Sequence, residues 1–214
     1  MLDIFRKQVI DACIDMTKKG LTVGTWGNIS SRDPKTGNIF ITPSGMDYDT
    51  CVPDDIIVYD REGNLVQGER KPTIEKDMHI GIYKKRPDVN VVVHSHPLYA
   101  TVFAVVEQGI PAITEEFAQT IGKWVPCAKY ALPGTMELAE NTVEALEDGR
   151  AVLLTSQGAV CVGPDVKSAF RICEVLEKAA LITIMAKSIG TPRIIPDQHV
   201  DIMSDFFSNI YGQR

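Results

Sequence analysis

The stretch "VNVVVHSHP", Val89 to Pro97, decides how the chain is read. Its β-branched apolar run is the signature of a strand. Alternate side chains of a strand share a face, so His94 and His96 project together. Pro97 then opens a helix, "PLYATVFAVVEQG", at whose first turn a missing N–H is tolerated. Two imidazoles on one face at a strand–helix junction form half of a metal site. The chain holds four histidines in all, His79, His94, His96 and His199. In so histidine-poor a sequence the pair favours metal over two strand-end residues bonded to a neighbouring loop.

Elements on either side complete the pattern. Leu2 to Lys19 reads as an amphipathic helix with Ile4, Val9, Ile10, Ala12, Cys13 and Met16 near one face and Gly20 as its stop. Short strands "NISSR", "NIFIT", "DIIVYD" and "NLVQG" follow, with the turn signals "DPKTGN" and "REGN" between them. Thr73 to Arg86 reads as a helix that Pro87 ends. Beyond the central helix, "WVPCAKYA" is a strand whose proline places it near a sheet edge. "TMELAENTVEALEDG" is a helix from threonine to glycine, and "AVLLT" and "AVCVG" flank "SQG" as a hairpin. Asp165 to Ile189 is a long helix, followed by a tail with Pro192, Pro196 and a short helical end. No internal repeat or linker interrupts this order. The expectation is one α/β domain over residues 1–214, a mainly antiparallel central β-sheet flanked by helices.

Composition narrows the class of function. A chain of 214 residues with 44% hydrophobic and 23% charged residues can bury one sizeable core. A net charge of −6 argues against nucleic acid as a partner. The apolar runs are too short to cross a bilayer, so no membrane role is expected. The N-terminus alternates charged and apolar residues at helical spacing, unlike a signal peptide. Five scattered cysteines without a CxxC pair fit reduced thiols and a cytoplasmic location.

Further residues bear on the chemistry. Glu75 stands at the start of a predicted helix, with His79 one turn later on the same face. The carboxylate either complements the helix N-terminus or lies near the ion, as ligand or as base. His79 reads as a residue that packs behind the site rather than as a ligand. The loops "GTWGNIS" (Gly24–Ser30) and "TPSGMDY" (Thr42–Tyr48) combine backbone freedom with hydroxyl and amide donors. They suit a phosphate or carboxylate, although any tight turn uses the same residues. Glu115 and Glu116 in "TEEFAQ" belong to a solvated loop or supply an acid/base near the metal.

Taken in order and spacing, "GTWGNIS", "ITPSGMDY", "KPTIEKDMH", "VVVHSHP" and "AVLLTSQGAVCVG" resemble the class II aldolase/adducin family over nearly the full chain. That resemblance implies a homotetramer with active sites at subunit interfaces, a divalent metal of the Zn2+ kind, and a sugar phosphate substrate. His94 and His96 fall on two of the family's three metal histidines, and Glu75 on its ligating and proton-carrying glutamate. Thr25, Gly27, Asn28, Ser44, Gly45 and Thr73 fall on its phosphate loops. Glu116 falls on a catalytic acid of the family's epimerases and dehydratases, and Tyr211 on a C-terminal tyrosine that helps close the aldolase site. The implied reaction is cleavage of a ketose phosphate to dihydroxyacetone phosphate and a small aldehyde. Epimerase or dehydratase chemistry on a sugar phosphate, or a non-catalytic adducin-like module, are the alternatives. Three departures stand out, the first being "TEEFAQ", where the aldolases place a tyrosine near Glu115 and Glu116 instead leans toward the epimerase or dehydratase. Gln157 occupies the third metal histidine's place, where an amide oxygen suits Mn2+ or Co2+ better than zinc. Ile74 stands where a phosphate-facing serine is common.

Overall fold

A computed structural model describes residues 2–210. Helix α1 (Leu2–Lys18) leads into strands β1 (Asn28–Arg32), β2 (Ile39–Ile41), β3 (Ile57–Tyr59) and β4 (Leu65–Gln67). Helix α2 (Lys76–Lys85) precedes β5 (Val91–Ser95) and α3 (Leu98–Val105). Then come β6 (Ile110–Pro111), α4 (Glu115–Thr120), β7 (Trp124–Val125), β8 (Cys127–Ala128) and α5 (Met136–Leu146). The hairpin β9 (Ala151–Leu154) and β10 (Gly158–Gly163), then α6 (Val166–Ile189) and α7 (Asp197–Asn209), complete the order.

Eight strands form one sheet in the order β4-β3-β2-β1-β5-β10-β9-β8, while β6 and β7 pair separately. Every neighbouring pair is antiparallel except β8 and β9. The α/β fold with a mainly antiparallel sheet is thus as the sequence led one to expect. Strand β5 lies between β1 and β10 and is buried along its whole length. Its side chains therefore divide between two cores. Val91 and Val93 pack with Val9, Cys13 and Met16 of α1, Phe103 of α3 and Leu176 of α6. Val92 packs on the other face with Met78, Ile82 and Tyr83 of α2 and Ala139 and Leu146 of α5. The period of two then carries His94 to the α2 face, toward the residue that starts that helix.

Three local readings change. "TEEFAQ" is the short helix α4 rather than a solvated loop: Thr114 Oγ caps it at the Phe117 N–H, and Phe117 is fully buried. Its single apolar turn was too brief to show helical periodicity. The chain's end forms a helix of 13 residues, α7, longer than a short helical end. "WVPCAKYA" divides at Pro126 into β7 and β8, because proline lacks the N–H a continuous ladder needs. Its β8 portion is an edge strand, as the proline suggested. The "SQG" hairpin forms as expected, with Leu154 opposite Gly158.

Backbone approach at Gly158 is close enough to test. A Cβ there would collide with the Ser95 carbonyl oxygen and crowd the His96 Cα. Gly158→Ala is expected to destabilise the protein by about 1–3 kcal/mol, the usual cost of overpacking. A lowered urea midpoint checks this, and an unchanged one would show that the two strands can part without cost.

Candidate active site

Glu75 is the centre of the site, and its position follows from where α2 begins. The helix starts at Lys76, leaving Glu75 as its N-cap with φ −97° and ψ 17°. Its side chain makes no capping bond, so it does not serve the helix end. It is 4% exposed, and each oxygen takes an amide donor. Gln157 Nε2 donates to Oε1 at 2.5 Å, and Asn28 Nδ2 donates to Oε2 at 2.7 Å. Burial pushes the Glu75 pKa up, but His94, the two amides and His79 more than offset that. The carboxyl therefore lies below its ordinary range and is ionised at neutral pH.

His94 and His96 converge as the strand period requires. Their Nε2 atoms stand 3.1 Å apart, and Glu75 Oε2 lies 3.4 Å from His94 Nε2. His94 Nδ1 donates to the Ala159 carbonyl at 3.1 Å, which aims Nε2 at His96 and Glu75. Burial first, and His94 next, push the His96 pKa down to about 4 against the pull of Glu75. One of its ring nitrogens is therefore unprotonated at neutral pH. The Trp26 indole leans over His96 with ring centroids 5.9 Å apart and is 68% exposed.

The donor chemistry fits a divalent ion. Two imidazoles on one zinc, each about 2.0–2.1 Å from it, stand roughly 3–3.5 Å apart, and the two histidines match that separation. The backbone carbonyl behind His94 is the kind of partner that fixes a metal-binding tautomer. No group of three or more His, Cys, Asp or Glu side chains that could hold a metal occurs among the described residues. The donors are two imidazoles, with Glu75 engaged by amides. Gln157 turns its amide nitrogen, not its oxygen, toward that carboxylate; the reverse orientation would set oxygen against oxygen.

Three loops meet beside these residues. Gly27 adopts φ 82°, and a Cβ there would lie 2.7 Å from the His94 carbonyl oxygen, so only glycine lets this loop reach the strand. Tyr48 donates its hydroxyl to the Gly27 carbonyl at 2.7 Å. The antiparallel Pro43–Pro72 bridge joins the other two loops: the Ser44 N–H donates to the Lys71 carbonyl at 2.9 Å and the Thr73 N–H to the Thr42 carbonyl at 3.0 Å. Thr25 is half-buried, Ser44 and Gly45 are exposed and Thr73 is buried. Ile74 beside them is 60% exposed.

Glu116 and the fourth histidine lie elsewhere. Glu116 is at the surface on α4, paired with Lys178 Nζ at 2.6 Å. His199 on α7 lines a cavity with Glu115 and Arg193, to which neither His94 nor His96 contributes. Tyr211 lies outside the described residues. Sequence reasoning missed the role of the Asn28 side chain, and missed Ser30 and Tyr83 behind it. Asn28 and Ser30 alternate on β1, but only the register that sets Asn28 opposite His94 shows which face they share.

Behind the site His79 is fully buried. Burial pushes its pKa down to about 3, with His94 adding to the effect and Glu75 opposing it. The unfolded imidazole titrates near 6.5. As pH falls from there toward 3, the unfolded chain takes up a proton that the folded chain refuses. Stability present in full above 6.5 should then fall by about 1.4 kcal/mol per pH unit for this one group. Glu75 pulls the same way below its ordinary pKa. Urea midpoints measured from pH 7 to pH 4 check this, and a flat profile would contradict it.

Residues 7–184 match the family described as Class II Aldolase and Adducin N-terminal domain, and the chain belongs to that family. It is 37% identical to 5-deoxy-D-ribulose 1-phosphate aldolase of Bacillus thuringiensis serovar kurstaki over 98% of this chain and 97% of that one. It is 32% identical to L-fuculose phosphate aldolase of Escherichia coli (strain K12), covering 97% and 95% of the two chains. A solved structure of L-fuculose 1-phosphate aldolase superposes with a TM-score of 0.92 at 38% identity, over 95% of this chain and 96% of that one. No described helix is long and apolar enough to cross a membrane.

Proposed function

We propose that this protein is a metal-dependent aldolase that cleaves a ketose 1-phosphate to dihydroxyacetone phosphate and a small aldehyde. The observation that carries this is Glu75: a buried, ionised carboxylate held between two amides, 3.4 Å from one of two converging imidazoles. His94 and His96 would hold the ion, with Glu75 beside them. When bound, a divalent ion supplies positive charge where negative charge develops as the carbon–carbon bond breaks. Zinc, manganese and cobalt are the candidates, given the amide at Gln157.

The remaining work falls to the chain itself. The loops of Thr25, Gly27 and Asn28, of Ser44 and Gly45, and of Thr73 are assigned to the phosphate, with the hydroxyls of Thr25, Ser44 and Thr73 and the N–H groups of the loop glycines as donors. As the C3–C4 bond opens, its electrons pass to the ketone, and the C4 hydroxyl gives its proton to the ionised Glu75 carboxylate as it becomes the aldehyde. The balancing proton arrives at C3, and a Glu75 carboxyl oxygen is the atom assigned to deliver it. Trp26 shields the His96 side of the reacting carbons from water.

Glu116 and Tyr211 are assigned to the aldehyde end. In the isolated chain Glu116 faces away with Lys178, so this role requires a second copy. Exposed apolar side chains, among them Val23, Trp26, Ile74 and Leu98, support a homotetramer whose sites lie between subunits. The deciding experiment incubates metal-loaded protein with a panel of ketose 1-phosphates and follows dihydroxyacetone phosphate by coupled reduction with NADH. Release of that product supports the reading. Interconversion of stereoisomers or loss of water without it would replace the aldolase with an epimerase or a dehydratase.

A further inference from the structure

We infer that His79 is a positioning residue for Glu75, acting through the side-chain amide of Asn28. The inference builds on the reading of Glu75 as the proton carrier, and it identifies what aims that carboxylate.

Both ring nitrogens of His79 are engaged in a buried place. Nδ1 lies 2.6 Å from Ser30 Oγ, and Nε2 lies 2.6 Å from Asn28 Oδ1. An amide oxygen only accepts, so Nε2 carries the hydrogen and Nδ1 accepts from the Ser30 hydroxyl. Tyr83 closes the far end: its hydroxyl lies 2.8 Å from Ser30 Oγ and 2.9 Å from the Ser30 carbonyl oxygen. The ring is thereby fixed as the neutral Nε2–H tautomer.

That hydrogen and the Glu75 carboxylate, which only accepts, together fix the polarity of Asn28. With Oδ1 held by His79, Nδ2 must face Glu75 Oε2, where it stands at 2.7 Å. Turned over, the amide would set Oδ1 against a carboxylate and Nδ2 against an N–H, losing both bonds. Asn28 is also the β1 residue directly opposite His94, so the amide is anchored to the strand that carries the histidines. Gln157 holds the other carboxylate oxygen. Glu75 is thus clamped from two sides, and one of those sides takes its direction from His79.

Two conservative substitutions separate this role from plain packing. A glutamine amide nitrogen reaches about as far as imidazole Nε2, whereas asparagine reaches only about as far as Nδ1. His79→Gln keeps the donor to Asn28, while His79→Asn keeps a partner for Ser30 and loses that donor. His79→Asn should lower kcat by about 10²-fold, the scale of a small misplacement of a reacting group, with KM nearly unchanged. His79→Gln should recover most of the loss. Equal turnover in the two variants, or a change confined to KM, would overturn the inference.

A measurement on the wild-type protein needs neither variant nor substrate. With ¹⁵N-histidine labelling, the His79 ring should give the two-bond correlations of a neutral Nε2–H tautomer. A ring found as Nδ1–H overturns the inference whatever the protein's activity. If no ketose phosphate is cleaved while His79 shows the Nε2–H form, the aldolase reading has failed and the clamp on Glu75 has not.

Discussion

Glu75→Gln should lower carbon–carbon cleavage by about 10²–10⁴-fold, the range a positioned proton carrier contributes. The change keeps the side chain's shape and removes its charge and basicity. The structure adds a second expectation. Both Glu75 oxygens accept from amide N–H groups, one from Asn28 and one from Gln157. A glutamine offers one oxygen and one NH2, so with Asn28 and Gln157 held as they stand, one of those donors faces another donor. That leaves an unsatisfied polar group, at a cost of about 1–3 kcal/mol. The variant should therefore fold with a lowered urea midpoint while retaining most substrate affinity. Turnover within a few-fold of wild type would remove Glu75 from the proton path. Lost binding with intact turnover would recast it as a substrate contact.

Gln157→His should tighten zinc by tenfold or more, equivalent to at least about 1.4 kcal/mol. An imidazole is a better zinc donor than an amide oxygen, and the wild-type amide turns its nitrogen toward Glu75 instead. Competition against a chromophoric chelator reads the change directly. The preference among zinc, manganese and cobalt should shift toward zinc in the same titration. The variant also gives up the N–H bond to Glu75 Oε1, so tighter metal need not bring faster turnover. Unchanged zinc affinity would mean that position 157 is directed away from the ion and serves only the carboxylate.

Much of this was legible in the sequence because the strand period and the helix period are local. The valine run before His94 announces a buried strand, and its alternation places His94 and His96 together without reference to any other element. Glu75 could be located at a helix start for the same reason. What it does there could not be read, because its partners Asn28 and Gln157 lie 47 and 82 residues away. Their contact depends on sheet register, which no short window carries. His79 was placed behind the site from its spacing to Glu75, but its link to Ser30 needed β1 to be seen beside β5. Helix α4 escaped notice because six residues are too few to display a repeat.

The same long-range construction governs when the centre comes into being. Asn28, Glu75, His94 and Gln157 come from β1, the start of α2, β5 and the β9–β10 turn, and the contacts of the Glu75 side chain with the other three are all distant in sequence. Folds that depend on such distant pairings close slowly, since chain entropy opposes them until the partners meet. A nascent chain holds no reactive carboxylate between amides until β10 has been synthesised and has paired with β5. Competence on refolding should accordingly arrive with closure of the central sheet, as a late and all-or-none event, rather than accumulate as the helices form.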